Sequence, residues 1–489
     1  MSLRLWIPAI VVSLAALLPA LHSPAEVVSH AAVPQDGETT LDDQEELSVT
    51  VYNSDLALVR DVRRLTLSPG VSHLNFMDIA ATVNPATVHF RSLTEPSRVS
   101  VLEQNYEFDL LDPEKLLRKY VGRDVTLVRV RQEGGTTVPE ETTARLLSYN
   151  TAPVWQIGEE IVTGMHADHI RFPELPGSLY SRPTLIWTLD NTGASSHRVE
   201  ASYLAGQLSW NADYVLTVSR DDSAADLDGW VTLTNGSGTA FPNANVQFIA
   251  GDLNRVRQEM LRARVADMAI QEGAAAPAPM NQEAFSEYHL YTLGRKTSIN
   301  NNETKQLSLL GGTGIPVQKR YVVDGQAFYY RNARHPGSPI KDVVQVYYQF
   351  ENREKDGLGM PMPAGVVRVY QADSKGGLQF AGEDRINHTP KDETLNVKIG
   401  NAFDVVAERK QVDFERIASE VYEVEYEVTL RNHKTTAISV EVNEPIGGTW
   451  RILSSTHEWT KTDAWAARFV APVPGEGETV VRYRVRVTY

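Results

Sequence analysis

Two segments in the last quarter of the chain are rich in charged residues. The first reads GEDRINHTPKDE from Gly382, and the second reads NAFDVVAERKQVDFER from Asn401. Carboxylates in such a group could act as acid and base, and an arginine fork could bind carboxylates or sugar hydroxyls. The candidate binding residues in these segments are Asp384, Arg385, Asp404, Glu408, Arg409, Lys410 and Asp413.

The second segment predicts a strand with charge on both faces. In a strand over 404–414, Glu408 and Lys410 share one face, while Arg409 and Asp413 point to the other. Such a strand is not fully buried on either side, so it could line a ligand groove or a domain junction. The alternative, a cross-strand salt-bridge ladder on a solvated sheet, is the favoured interpretation.

Aromatic residues form a second candidate site near the C-terminus. Trp450, His457, Trp459 and Trp465 lie close together in sequence, and exposed indoles at Trp459 and Trp465 could stack on sugar rings. Burial is the commoner fate of tryptophan, because the ring can anchor a sandwich core. The sequence therefore leaves both interpretations open.

Other catalytic and metal-binding motifs are missing or incomplete. No G-x-S-x-G nucleophile elbow is present, and the glycines at 311–314 lack the following lysine of a P-loop. His166, Asp168 and His169 do not have the spacing of a zinc helix. The aspartates over 221–228 do not have EF-hand spacing. We therefore predict no catalytic residue, no metal and no cofactor.

Composition excludes several classes of protein. The 489 residues suggest two to four domains, and the 42% hydrophobic and 22% charged fractions are typical of a folded protein. The net charge of −15 argues against binding to nucleic acid. Because there is no cysteine, disulfides, thiolate metal sites and cysteine nucleophiles are excluded.

The N-terminus has the pattern of an export signal. Arg4 is followed by an apolar stretch from Leu5 to Leu21 and by small residues at Ser23 and Ala25. We expect cleavage after Ala25, with an uncleaved anchor as the alternative. No second apolar run approaches the length of a membrane span. The protein is therefore expected to be periplasmic or extracellular, with no membrane span once the signal is removed.

Most of the remaining chain alternates between apolar and polar residues with a period of two, which predicts strands. One helix interrupts them: Asp112 can cap its start, Pro113 suits its first position, and Gly122 can end it. A second helix is predicted over 252–268, followed by a linker rich in alanine and proline.

A recurring pattern gives the strongest indication of architecture. Four times, an apolar strand reaches an asparagine, a polar turn reverses the chain, and an alternating strand returns. The asparagines are Asn191, Asn235, Asn352 and Asn432. Asparagine favours such turns because its side chain bonds the nearby backbone. We therefore predict an all-β protein of several antiparallel β-sandwich domains, immunoglobulin-like, with a short helix and one helical or linker insertion.

Several segments resemble a known family. SVTVYNSDLALVRDVRRL from Ser48, SYLAGQLSWNADYVLTV from Ser202 and EYHLYTLGRKTSINNNETKQLSLL from Glu287 are similar to domain-of-unknown-function family 4139, as are stretches from Leu102, Asp226 and Gly400. The resemblance runs from about Leu47 to the C-terminus. It includes a partial similarity to mucoidy-inhibitor-like bacterial proteins, and implies a bacterial, exported, β-rich protein without an assigned reaction or catalytic residue.

These observations predict the following organisation: a signal peptide over 1–25, a disordered lead over 26–46, an N-terminal β-rich domain with one short helix over 47–180, a middle β-sandwich over 181–253, a helical arm and Ala/Pro linker over 254–283, and a C-terminal β-sandwich region of one or two domains over 284–489. The expected function is that of a non-catalytic envelope scaffold or binding module for an envelope protein or a polysaccharide. The alternative is an envelope glycan hydrolase that uses Asp384 and Asp404 as its paired carboxylates.

Overall fold

The computed structural model describes residues 36–107, 111–133, 136–176, 182–251, 280–334 and 339–489. Strands account for 65% of the described residues and helices for 5%, which confirms the all-β prediction. The described residues form thirty-three strands, one α-helix and four short 3-10 helices, the latter at Leu41–Asp43, Pro85–Thr87, Ala327–Tyr330 and Glu354–Asp356.

Twenty strands and the helix precede residue 317. They are β1 (Asp36–Thr39), β2 (Gln44–Tyr52), β3 (Leu56–Thr66), β4 (Gly70–Met77), β5 (His89–Ser92), β6 (Val99–Glu107), α1 (Pro113–Lys119), β7 (Asp124–Glu133), β8 (Thr136–Tyr149), β9 (Pro153–Ile157), β10 (Glu160–Thr163), β11 (His169–Arg171), β12 (Thr184–Asn191), β13 (Ser196–Gly206), β14 (Leu208–Val218), β15 (Ala224–Asn235), β16 (Phe241–Ala250), β17 (Asn281–Phe285), β18 (Tyr288–Thr292), β19 (Thr297–Ile299) and β20 (Glu303–Pro316).

Thirteen strands follow. They are β21 (Gln318–Asp324), β22 (Ile340–Asp342), β23 (Val344–Glu351), β24 (Gly365–Ala372), β25 (Leu378–Ile386), β26 (Thr394–Asn401), β27 (Val405–Ala418), β28 (Val421–Asn432), β29 (Ile438–Pro445), β30 (Thr449–Ser455), β31 (Trp459–Asp463), β32 (Ala466–Val473) and β33 (Gly477–Thr488).

Six sheets organise these strands, and most neighbouring strands are antiparallel. Sheet 1 has the order β1-β4-β12-β6, and sheet 2 has the order β17-β18-β16-β2-β3-β13-β5, with β19 paired to β16. Sheet 3 is β20-β15-β14-β24-β25, and sheet 4 is β26-β23-β21-β29-β32-β31. Sheet 5 is β22-β27-β28-β33-β30, and sheet 6 is β10-β9-β8-β7-β11.

In the part of the chain that the structure describes, three hydrophobic cores hold the sheets together. The largest lies among sheets 1, 2 and 3 and extends to Tyr348 and Phe350 at the end of β23. The second lies between sheets 4 and 5, and forms the C-terminal sandwich. The third packs α1 and sheet 6 around Trp155.

Among the described residues, the single α-helix forms where the sequence predicts it. The Asp112 side chain accepts a hydrogen bond from the Lys115 backbone nitrogen at 2.9 Å, and Pro113 is the first helical residue. Gly122 has a φ of +86°, which glycine adopts without steric cost. The second predicted helix, over 252–268, lies outside the described residues.

Each recurring asparagine is buried and lies where the chain passes from one sheet to another. Asn432 is typical: its Oδ1 accepts from the Lys434 nitrogen at 3.0 Å, and its Nδ2 donates to the carbonyl oxygens of Thr436 at 2.9 Å and Pro474 at 3.0 Å. The prediction of a turn is confirmed, but the returning strand joins a different sheet. β12, β15, β23 and β28 therefore lead into sheet crossings rather than into hairpins.

The division into domains differs from the expected one in three places. Residues 36–46 are not a disordered lead, because β1 pairs with β4 and the buried Arg63 guanidinium donates to the Thr39 carbonyl oxygen at 3.1 Å. The chain does not divide at 180/181, because β12 pairs with β4 and β6. Residues 280–283 are not linker, since Met280 is buried and β17 pairs with β18. The C-terminal sandwich begins near β21.

Candidate functional site

Arg409 lies in the core of the C-terminal sandwich, with none of its surface exposed. Its Nε donates to Asp342 Oδ2 at 2.8 Å, and its Nη1 donates to Glu444. The guanidinium carbon is 5.3 Å from the ring centre of Tyr329. The expectation that this strand is not fully buried on either side, and could line a groove or a junction, therefore conflicts with the burial of Arg409 in a structural ion pair.

Tyrosines complete the polar cluster around Arg409. The Tyr330 hydroxyl donates to Glu444 Oε2 at 2.7 Å and lies 2.9 Å from the Tyr483 hydroxyl. Burial raises the pKa of Asp342, and the Arg409 guanidinium opposes that shift only in part. Burial would lower the pKa of Arg409, but Glu444 and Asp342, together with the Tyr483 and Tyr330 hydroxyls, outweigh burial and raise this pKa. The cluster is therefore a buried, charged part of the core.

Strand alternation could have identified this cluster in the sequence. Val405, Ala407 and Arg409 have the same parity on β27, and the two apolar members are buried. The same holds on β29, where Val440 and Val442 precede Glu444. The partnership between Arg409 and Glu444 could not be read from the sequence, because it joins strands of two facing sheets.

Glu408 and Asp413 belong to a salt-bridge ladder on the outer face of sheet 5. Glu408 pairs with Arg431, and Asp413 accepts from Arg484 Nη1 at 2.7 Å. Lys410 is exposed. The interpretation as a cross-strand ladder is therefore confirmed for Glu408 and Asp413. Asp413 was expected on the face of Arg409, but a β-bulge between Gln411 and Asp413 reverses the alternation.

Asp384 and Asp404 have separate partners. Asp384 accepts hydrogen bonds from the backbone nitrogens of Arg385 at 2.8 Å and Lys398 at 2.7 Å. Asp404 Oδ2 lies 4.0 Å from Lys434 Nζ. Arg385 is exposed and lies on β25. No contact in the described chain brings the two carboxylates together as an acid and a base.

Trp459 and Trp465 lie at the free edge of sheet 4 and are exposed. β31 is the edge strand, and all five of its residues are exposed. Trp459 is 38% exposed and Trp465 is 64% exposed, whereas Trp450 is buried. We call the surface formed by Trp459, Lys461 and Trp465 the tryptophan edge.

The backbone of the tryptophan edge is held by the sandwich. The Trp465 nitrogen donates to Asp463 Oδ1, and its carbonyl oxygen accepts from the Ile446 nitrogen, each at 2.6 Å. The Trp459 ring centre is 5.8 Å from that of Trp450, whose Nε1 donates to the Ala464 carbonyl oxygen at 2.9 Å. The exposed rings are therefore carried on ordered backbone, and one of them packs on a buried ring.

The polar candidates elsewhere in the chain serve local structure. Asp168 Oδ2 accepts from the Val130 nitrogen at 2.7 Å, and Asp226 Oδ1 accepts from the Gly314 nitrogen at 2.8 Å. Asp221 accepts from the hydroxyls of Ser219 and Ser223. Among the described residues, no group of three or more histidine and carboxylate side chains is arranged to hold a metal ion.

The chain matches no family model and no curated protein. None of the helices in the described ranges has the length and apolar character needed to cross a bilayer. The fold is that of an all-β protein with several sandwiches. The tryptophan edge is the candidate site whose indoles are exposed, as the predicted stacking on sugar rings requires.

Proposed function

We propose that this chain is an exported bacterial envelope protein that binds neutral polysaccharide without catalysis, through the tryptophan edge. The alternative partner from the sequence, an envelope protein, is not favoured by a specific contact. The paired-carboxylate hydrolase is not favoured either, because Asp384 and Asp404 are held by different partners.

The observation that supports this proposal is the exposure of two indoles on one edge strand and the turn that follows it. An indole presents a large apolar face, and its edge N–H can still donate a hydrogen bond. Covering one such face with a sugar ring removes roughly 60 Å² of apolar surface, which contributes about 1.5 kcal/mol at ~25 cal/mol per Å². Two stacked rings therefore contribute about 3 kcal/mol, before any hydrogen bond is counted.

The charges beside the indoles favour a neutral ligand. Lys461 Nζ lies 4.7 Å from the Trp450 ring centre. The exposed carboxylates of Glu458 and Asp463 lie just before β31 and at its last residue. Charges of both signs are therefore interspersed, and neither an anionic nor a cationic glycan gains a uniform field. The expected affinity for one short glycan is about millimolar, and repeated sites along a polysaccharide raise the apparent affinity.

The export part of the proposal depends on the N-terminal sequence. Arg4 and the apolar stretch before Ala25 have the pattern of a cleavable signal, and these residues lie outside the described ranges. The resemblance to domain-of-unknown-function family 4139 also suggests an exported bacterial protein. A glycan of the cell envelope would be within reach of a protein in that compartment.

Affinity electrophoresis tests the binding site. Wild-type protein is run in gels that contain neutral polysaccharides of different linkage, beside Trp459→Ala and Trp465→Ala. We expect at least one polysaccharide to retard the wild type, and each substitution to weaken the retardation about tenfold, as expected for about 1.5 kcal/mol.

The matched control is Phe380→Ala, which removes a 56% exposed aromatic ring from sheet 3. This variant should be retarded like the wild type. Retardation that survives in Trp459→Ala and Trp465→Ala, or no retardation of the wild type by any polysaccharide, contradicts the proposal.

A further inference from the structure

A cavity lies where sheet 2 meets two loops that flank β24 and β25. Its volume is about 220 Å³. Residues of β16 and β18 form one side, and the segments 361–362 and 388–390 form the other. Its lining residues include Glu287, His289, Tyr291, Met362, His388 and Pro390. This cavity is separate from the tryptophan edge, since the two share no residue.

Two histidines line the cavity, and their hydrogen bonds indicate which ring nitrogen carries the hydrogen. His388 Nδ1 accepts from the Ala364 backbone nitrogen at 3.2 Å. A backbone N–H can only donate, so the neutral imidazole of His388 has its hydrogen on Nε2. His289 Nδ1 lies 2.8 Å from Gln282 Nε2, and an amide nitrogen also donates. Each ring therefore has an Nε2–H donor without a hydrogen-bond partner among the described residues.

The remaining lining residues have different chemistry. Glu287 is exposed at the rim and can only accept hydrogen bonds when ionised. Tyr291 is buried, and its hydroxyl already donates to the Pro361 carbonyl oxygen at 2.9 Å. Met362 and the proline rings supply apolar surface. The cavity thus combines two N–H donors, one carboxylate acceptor and an apolar wall.

A small hydroxylated carboxylic acid matches this set of groups. Its carboxylate oxygens would accept from the two imidazole N–H groups, and its hydroxyls would donate to Glu287. The C–H faces of a sugar ring would contact the proline and methionine side chains. We propose that the cavity binds a single sugar acid, of the uronic acid class, through His289 and His388. This site goes beyond the neutral-glycan function and does not depend on it.

Isothermal titration of the full-length protein tests the site with glucuronate as the probe. The comparison ligand is the methyl glycoside of glucose, which keeps the ring and hydroxyls and lacks the carboxylate. We expect saturable binding of glucuronate, and binding of the glycoside weaker by about tenfold or more, because charge-assisted hydrogen bonds are lost. Equal binding of the two ligands contradicts the assignment of the carboxylate to the histidines.

Variants identify the residues. His388→Gln and His289→Gln should each weaken glucuronate binding about tenfold, while Glu287→Gln should weaken it by a smaller factor. His433→Gln, at an exposed histidine of the C-terminal sandwich, is the matched control and should bind as the wild type does. His388 is exposed, so a thermal melt of His388→Gln should equal that of the wild type.

The outcomes distinguish this site from the tryptophan edge. Trp465→Ala should leave glucuronate binding unchanged, and His388→Gln should leave retardation by neutral polysaccharide unchanged. No saturable binding of glucuronate, or full binding in both folded histidine variants, overturns the proposal. Loss of glucuronate binding in Trp465→Ala would place the sugar acid at the tryptophan edge and would overturn it too.

Discussion

Replacing Arg409 with alanine should destabilise the C-terminal sandwich strongly. The side chain is completely buried and is bonded to both Asp342 and Glu444. Its removal leaves two carboxylates in the core without their cation. Breaking a buried ion pair by removing one partner costs about 3–5 kcal/mol, because the remaining charge is uncompensated.

Chemical denaturation measures this cost. Trp450, Trp459 and Trp465, three of the 8 tryptophans, are in the C-terminal sandwich, so its unfolding in urea contributes to the fluorescence change, and the transition that Arg409→Ala shifts is assigned to it. With an m value of about 2 kcal/mol per M, a loss of 3–5 kcal/mol lowers the urea midpoint by about 1.5–2.5 M.

Lys410→Ala is the control for Arg409→Ala, because the neighbouring lysine is exposed on the same strand. Its unfolding free energy should change by no more than about 0.5 kcal/mol. A variant that combines Arg409→Met with Asp342→Asn and Glu444→Gln removes all three charges, and should recover part of the lost stability. A loss below about 1 kcal/mol for Arg409→Ala would refute the assignment of Arg409 to a buried ion pair.

Two further substitutions test other parts of the C-terminal sandwich. Asn432→Ala should lower the free energy of unfolding by about 2–4 kcal/mol, because buried backbone groups lose their partners. The exposed control Asn401→Ala should change this free energy little. Equal urea midpoints for the two variants would contradict this prediction. Hydrogen bonds from Arg486 and Arg484 hold the pKa of Glu423 below its ordinary value of 4.5. The contribution of the Glu423 carboxylate to stability is therefore complete above pH 4.5 and is lost as the pH falls towards the lowered pKa. Between about pH 5 and about pH 3, the wild type should therefore lose more stability in urea titrations than Glu423→Gln, and parallel losses would show that this carboxylate is not involved.

Features with local causes could be predicted from the sequence. The helix α1 depends on Asp112 as its cap, on Pro113 and on Gly122, and all three act within one or two turns. The asparagine turns were predictable for the same reason, since Asn432 bonds Lys434 and Thr436. The sheet that each returning strand joins was not predictable, because partners such as Pro474 are distant in sequence.

The candidate site was harder to predict because burial depends on strand register. The alternation of β27 was correct up to Gln411, and the bulge after it moved Asp413 to the outer face. Arg409 has an inward position beside apolar residues, but only the facing strand supplies Glu444 to compensate its charge. The exposure of Trp459 depends on β31 being an edge strand, which is a property of the whole sheet.

The most direct test of the central claim is a nuclear magnetic resonance titration of the indole N–H groups. The chain has 8 tryptophans, which can be labelled selectively and assigned by substitution. A soluble neutral oligosaccharide should shift the signals of Trp459 and Trp465 in a saturable way, and should leave those of the buried Trp187 and Trp210 in place. Unchanged Trp459 and Trp465 signals, with oligosaccharides of the polysaccharides that retard the protein, would contradict glycan binding at the tryptophan edge.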